Sequence, residues 1–151
     1  MGPSRELIEN TGFLLKKLGF AIKERSHEAY KATGLTPQHH AVLSLLEEGS
    51  CGAQGTIADR LGYDRSQLVG LLDDLEERGY VVRKRDSDDR RRHLVNVTAE
   101  GKEALRELRA IGKGVEKEFL APLDAEDRQT LHALLLRLAA YHDAGFLSPE
   151  G

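Results

Sequence analysis

Disulfides, metal-binding thiol pairs and membrane spans are all missing from this sequence. Its one cysteine, Cys51, has no partner in the chain, which excludes an intrachain disulfide framework and a CxxC zinc module and leads us to expect an intracellular, reducing location. No apolar run approaches the about 18 residues that a bilayer span needs. The opening MGPSRELIEN lacks the long apolar stretch of a signal peptide, so a soluble, cytoplasmic protein without membrane contact is expected. A glycine-rich phosphate loop, a nucleophile elbow and a His/Glu set at metal-ligand spacing are absent too, and the six histidines are scattered without a base-and-orienter arrangement. These absences argue against an enzyme and give no reason to expect a cofactor.

A large excess of positive charge is also lacking. The formal net charge of -3 argues against a chain that simply coats polyanions, so any cationic surface must be gathered locally. What is present is an ordinary soluble balance, 40% hydrophobic and 31% charged, which makes wholesale disorder a poor reading. At 151 residues the chain suits one domain, or one small domain with a helical extension, and leaves no room for a second enzyme-sized domain. No internal repeat or low-complexity tract interrupts it.

The hydrophobic periodicity describes four helices, a hairpin and two more helices. From about Ser4 to Lys31, Leu7, Thr11, Leu14, Leu15, Leu18, Ala21 and Ile22 fall at three-and-four spacing and predict one amphipathic helix ended by Gly34. Thr36 then Pro37 is a capping hydroxyl followed by proline at the first helical position, and the next helix runs to about Glu48. After the loop from Gly49 to Gly52, a third helix carries Ile57, Ala58 and Leu61 inward and stops at Gly62. Asp64 with Gln67 three residues later reads as a capping box opening a fourth helix, with Leu68, Leu71, Leu72 and Leu75 inward and Gly79 at its end. Tyr80, Val81 and Val82, and later Leu94, Val95 and Val97, are β-prone; RKRDSDDRRRH between them is too polar to be buried and makes a solvated hairpin tip. Ala104, Leu105, Leu108, Ile111, Val115 and Phe119 line a fifth helix up to Pro122. Asp124 with Asp127 caps a last one carrying Leu131, Leu134, Leu135, Leu138 and Tyr141.

Two short helices joined at a glycine and followed by a basic hairpin form a device for placing one helix in a DNA major groove while the hairpin reaches the neighbouring backbone or minor groove. On the helix opened by Asp64, the outward residues of the first two turns are Arg65, Ser66, Gln67, Val69 and Gly70, some of which can hydrogen-bond base edges or phosphates. The second half, Asp73, Asp74, Glu76 and Glu77, is acidic, so only the N-terminal end is expected in the groove. The segment alone also fits an ordinary surface helix. The hairpin shifts the balance, because Arg83, Lys84, Arg85, Arg90, Arg91 and Arg92 concentrate six cations in ten residues. Asp86, Asp88 and Asp89 dilute them; an Asp89–Arg91 pair that orients the guanidinium is expected, with an unpaired flexible loop as the alternative. Phosphate contacts are expected from Arg83, Arg85, Arg90 and Arg91, and Thr36, Gln38 and Gln54 complete the candidate set.

The first and last helices carry apolar stripes outside the central unit. They can pack on each other within one chain or close a two-fold dimer, and the dimer is expected because it supplies a second groove-reading helix. The division is accordingly a helical dimerisation region, 1–35 and 100–151, around a DNA-binding lobe, 36–99.

The whole pattern resembles the MarR (multiple antibiotic resistance regulator) family of bacterial transcription factors. DSDDRRRHLVNVT followed by AEG is similar to the family's D-P-x-D-R-R-x-x-x-V-x-L-T-x-x-G, and IADRLGYDRSQLVGLLDDLEERGYV is close to its recognition unit. The resemblance implies a mainly α winged helix-turn-helix protein with a small β-hairpin wing and terminal dimerisation helices. It implies a homodimer on a pseudo-palindromic double-stranded operator, usually as a repressor, released by an anionic or phenolic small molecule bound between the dimerisation helices and the lobe. Asp89 and Arg91 sit where the family's wing pair sits, and Ser66 and Gln67 where its groove-contacting positions begin. Ser87 departs from the usual wing proline, and Val69 and Gly70 stand where many relatives have a polar and a basic residue, which shifts weight toward DNA shape. For the effector, Phe20, Tyr30, His39, His40, Leu43 and Leu108 are candidate lining residues that serve equally well as core, and plain core is the preferred reading for Leu43 and Leu108.

Other readings of the same fold are a redox sensor through Cys51, a metal sensor, or a helical adaptor that has lost DNA binding. Cys51 lies in the loop before the third helix, not near the start of the first helical region where the family's peroxide-sensing cysteine sits. His39 and His40 are adjacent and point about 100° apart on a helix, and His132 and His142 are ten apart, so neither pair sets up a metal site.

Overall fold

A computed structural model describes residues 2–49 and 52–143 of the chain; Cys51 lies outside them. Helix α1 spans Arg5–Ile8, α2 Thr11–Tyr30, α3 Pro37–Glu47, α4 Gln54–Leu61, α5 Arg65–Glu77, α6 Ala99–Phe119 and α7 Ala125–His142; strands β1, Val81–Arg85, and β2, His93–Val97, stand between α5 and α6. A 3-10 turn over Lys31–Thr33 joins α2 to α3. Apart from a break in the first helix, this is the order of helices and hairpin that the periodicity predicts, and it is the mainly α winged-helix architecture that the resemblance implies. Among the described residues no helix is long and apolar enough to cross a membrane.

Local chemistry sets most of the boundaries. Thr36 is extended and caps α3, with Pro37 at the first helical position. Asp64 caps α5 by accepting the Gln67 amide at 2.7 Å, and Gly62 ends α4 at φ 66°, a left-handed conformation that any Cβ would strain. The first helix is a correction. In place of one helix from Ser4 to Lys31 the chain breaks at Asn10, whose side chain accepts the Phe13 amide at 2.8 Å while its own backbone is extended, so α2 restarts there. The hairpin strands also reach further into the charged tip than expected. Arg83 pairs with Val95, Lys84 with Leu94 and Arg85 with His93, so these polar residues belong to the ladder.

The core is one cluster built around Leu43, Ile57, Leu68, Leu72, Leu75, Val81, Val95, Leu105 and Leu108, all essentially inaccessible to solvent. It draws on Tyr30 and Leu35 before α3 and on the first turns of α6 beyond β2. Gly101 lets α6 approach: a Cβ there would overlap the Tyr80 carbonyl oxygen. Thr98 fastens the same corner, donating to the Gly79 carbonyl at 2.6 Å and accepting the Gly101 amide.

Outside this cluster the apolar stripes stay open. Leu14, Leu15 and Leu18 of α2 are exposed, and α7 has no buried residue, with Leu134, Leu135 and Leu138 each more than two-fifths exposed.

Candidate nucleic-acid interface

Three elements meet at one end of the lobe. The N-terminus of α4, the first turn of α5 and the wing turn enclose a recess of about 420 Å³ lined by Gln54, Gly55, Thr56, Arg65, Arg91, Arg92 and His93 among others. The expected residues Gln54, Arg65 and Arg91 are thus brought together. Thr56, Arg92 and His93 join them unforeseen; the arginine triplet carried the signal for Arg92, but nothing in the spacing pointed to Thr56.

On α5, Arg65, Ser66, Gln67 and Val69 are exposed on the first two turns. The Ser66 hydroxyl donates to the Asp64 carboxylate at 2.8 Å. The Gln67 amide and that hydroxyl together hold the Asp64 carboxyl below the usual carboxylate range. The cap thus fixes the start of α5, from which Arg65, Gln67 and Val69 project into solvent.

The wing turn is closed by its own backbone and by aspartates. The Asp86 amide donates to the Arg92 carbonyl at 3.0 Å, and the Arg92 amide to the Asp89 carbonyl at 2.9 Å. Asp89 accepts from both the Arg91 amide, at 3.0 Å, and the Arg91 Nε, at 3.3 Å, while the Arg91 side chain is 92% exposed. Such a pair aims a guanidinium outward without burying its charge. Arg85 and Arg90 are exposed beside it.

Arg83 lies elsewhere. Its guanidinium turns back onto α5 and meets Asp73 and Glu76, at 2.5 and 3.0 Å. Its bonds hold the Glu76 carboxyl below its ordinary range. Thr36 and Gln38 sit at the start of α3, Gln38 half-buried beside a shallower cavity that it shares with Lys23 and Tyr63.

Of the residues expected to line an effector site, Tyr30 and His40 are brought together: the Tyr30 hydroxyl lies 2.8 Å from His40 Nδ1. Gly112 of α6 backs onto that hydroxyl, and Arg109 pairs with Glu47 nearby at 2.6 Å. Burial, and then Arg109, push the His40 pKa down. Leu43 and Leu108 are fully buried in the core cluster, and Phe20 is exposed on α2. His39 faces away from His40, its ring buried between Thr36 and Asp74. Among the described residues no three His, Cys, Asp or Glu side chains converge as metal ligands.

The chain is similar to known regulators over this architecture. Residues 33–92 match a profile described as MarR family. A MarR-family transcriptional regulator from Rhodococcus sp. RHA1 is 32% identical, with a TM-score of 0.78 over 90% of this chain and 96% of that one. The transcriptional repressor CouR bound to a 23-mer DNA duplex is 31% identical, with a TM-score of 0.82 over 92% of this chain and 99% of that one. CouR from Rhodococcus jostii RHA1 bound to p-coumaroyl-CoA gives 29% identity and a TM-score of 0.77 over 96% and 98%. The transcriptional regulator HosA of Escherichia coli is 31% identical over 104 residues, 69% of this chain and 77% of that one.

Proposed function

The chain belongs to the MarR family of transcriptional regulators, and on that premise we propose that it is a homodimeric repressor of a pseudo-palindromic operator. The observation that carries this reading is the recess where the first turn of α5, the start of α4 and the Arg91 tip converge. The first two turns of α5 enter a major groove, and Arg91, with Arg85 and Arg90 beside it, contacts flanking phosphates or the minor groove. The acidic second half of α5 stays out of the groove. Residues 36–99 form the DNA-binding lobe, and 1–35 and 100–151 the dimerisation region, whose open stripes on α2 and α7 are covered by the second copy.

A small anionic or phenolic molecule releases the DNA. Its site lies between the lobe and the terminal helices, where Tyr30 and His40 supply polar groups over the core. The similarity to CouR, captured both with DNA and with p-coumaroyl-CoA, supports this reading.

Sequencing of fragments selected from genomic DNA by the purified protein tests the operator, followed by gel shifts on the winning fragment. The expected result is a two-fold related site whose binding is strongly reduced by Arg91→Ala. Selection of no fragment, or an undiminished shift in that variant, contradicts the assignment. A thermal-shift screen of aromatic acids and their thioesters then tests the effector, with release of the shifted fragment as the required second readout.

A further inference from the structure

One arginine of the wing is not offered to a ligand. The Arg83 side chain is 21% exposed, whereas that of Arg91 is 92% exposed. Arg83 shares the strand face of the buried Val81, because alternate residues of β1 point the same way. Its guanidinium donates to Asp73 Oδ1 at 2.5 Å and to Glu76 Oε1 at 3.0 Å, and its backbone amide donates to Glu76 Oε2 at 3.0 Å. One carboxylate thus grips both the backbone and the side chain of the same residue.

The opposite strand is held separately. Leu94 of β2 bridges to Ala53, and the Val95 amide donates to the Gly52 carbonyl at 2.6 Å. The wing base is therefore fastened on both edges, β2 to the segment before α4 and β1 to α5. The charge count at the β1 edge agrees with a fastening. One guanidinium stands between two carboxylates, so this corner presents no surplus positive charge to attract a phosphate.

We propose that Arg83 is a positioning residue, clamped by Asp73 and Glu76 so that the wing keeps a fixed angle to α5, and that it is not a phosphate contact. This rests on the DNA-binding reading given above. It also assigns a role to acidic residues on a helix that faces DNA: Asp73 and Glu76 hold the wing that reaches the backbone.

The test is fluorescence anisotropy on the selected fragment between 50 and 200 mM salt, comparing the wild type with Glu76→Ala and Glu77→Ala at equal folded fraction. Glu77 is exposed on the same helix, so its variant removes the same charge without touching the clamp. The expected result is roughly tenfold weaker binding by Glu76→Ala than by Glu77→Ala, the size of a lost charge-assisted bond. The log-log salt slopes of the two variants should agree. Binding by Glu76→Ala as tight as or tighter than Glu77→Ala, with a slope steeper by about 0.9 per bound chain, means that a freed Arg83 has taken a phosphate and overturns the proposal. Should Glu76→Ala fail to fold, Asp73→Asn keeps the bond to the Arg83 amide and is read against Glu77→Gln by the same criteria. A wild type that binds no fragment overturns the DNA-binding reading instead, so the two failures are distinct.

Discussion

The imidazole Nε2 of His39 lies 3.2 Å from the Asp74 carboxylate, and through that contact α3 holds the C-terminal half of α5. Nδ1 of the same ring accepts the Thr36 amide at 3.0 Å, so a single neutral tautomer, protonated on Nε2, serves both neighbours. A second proton on Nδ1 would turn that acceptor into a donor and cost the bond from the Thr36 amide, one half of the box that caps α3.

This geometry makes stability depend on mildly acidic pH. Burial pushes the His39 pKa below its ordinary value, outweighing the upward pull of Asp74. The unfolded chain then binds the proton first. The contribution to stability is complete above about pH 6.5 and is lost as the pH falls through the lower folded value. His40, lowered by burial and by Arg109, acts in the same direction. The melting temperature is expected to drop as the pH goes from about 7.5 to about 5, and His39→Gln should lower it at neutral pH while flattening the profile. Equal pH slopes in wild type and variant would contradict this.

Arg91 is the arginine expected to carry phosphate binding at the wing tip. Arg91→Ala should weaken binding to every duplex alike and reduce the log-log salt slope by about 0.9 for each bound chain. Asp89→Ala should also weaken binding, although it removes a negative charge, because Arg91 loses the carboxylate that aims it. Tighter binding by Asp89→Ala would show that the pairing has no orienting role.

Core and close-approach positions should respond to small changes in volume. Leu72 is fully buried in the core cluster, and Leu72→Ala is expected to cost about 2–5 kcal/mol in denaturant unfolding. Gly101→Ala adds one methyl, but that methyl meets the Tyr80 carbonyl, so α6 or the start of the wing must shift at a cost of about 1–3 kcal/mol. A loss below about 0.5 kcal/mol at Gly101 would mean that this contact is easily relieved.

The open stripe of α7 should govern assembly. Leu138→Glu places a charge where the second copy is proposed to pack, and sedimentation should change from dimer to monomer with loss of tight operator binding. An unchanged dimer would move the interface away from α7.

Much of this was legible in the sequence because helix ends are written locally. Thr36 before Pro37, Asp64 three residues before Gln67, and the left-handed glycines at 34 and 62 each act within a few residues, and each marks a boundary found in the structure. Asn10 is a signal of the same kind, but the apolar spacing from Leu7 to Leu14 runs straight across it and favoured an unbroken helix. The recess was legible in part, since Gln54, Arg65 and Arg91 stand out by type, whereas the placement of Thr56 depends on how α4 meets the wing. The direction of Arg83 was not legible. It depends on carboxylates seven and ten residues earlier, and a run of arginines gives no indication of which member turns inward.

Leu68 packs into the core from the start of α5, but the polar ties of α5 to other elements lie past its second turn: Asp73 and Glu76 to the wing, Asp74 to His39, and Arg78, just beyond the helix, to the carbonyls of Thr33 and Gly34. Polar gripping is thereby concentrated in a different stretch of the rod from the turns proposed to read DNA. Randomising positions 65, 66, 67, 69 and 70 should leave the melting point nearly untouched while changing which duplexes are chosen, so that new operator preferences can evolve without first relearning how to fold.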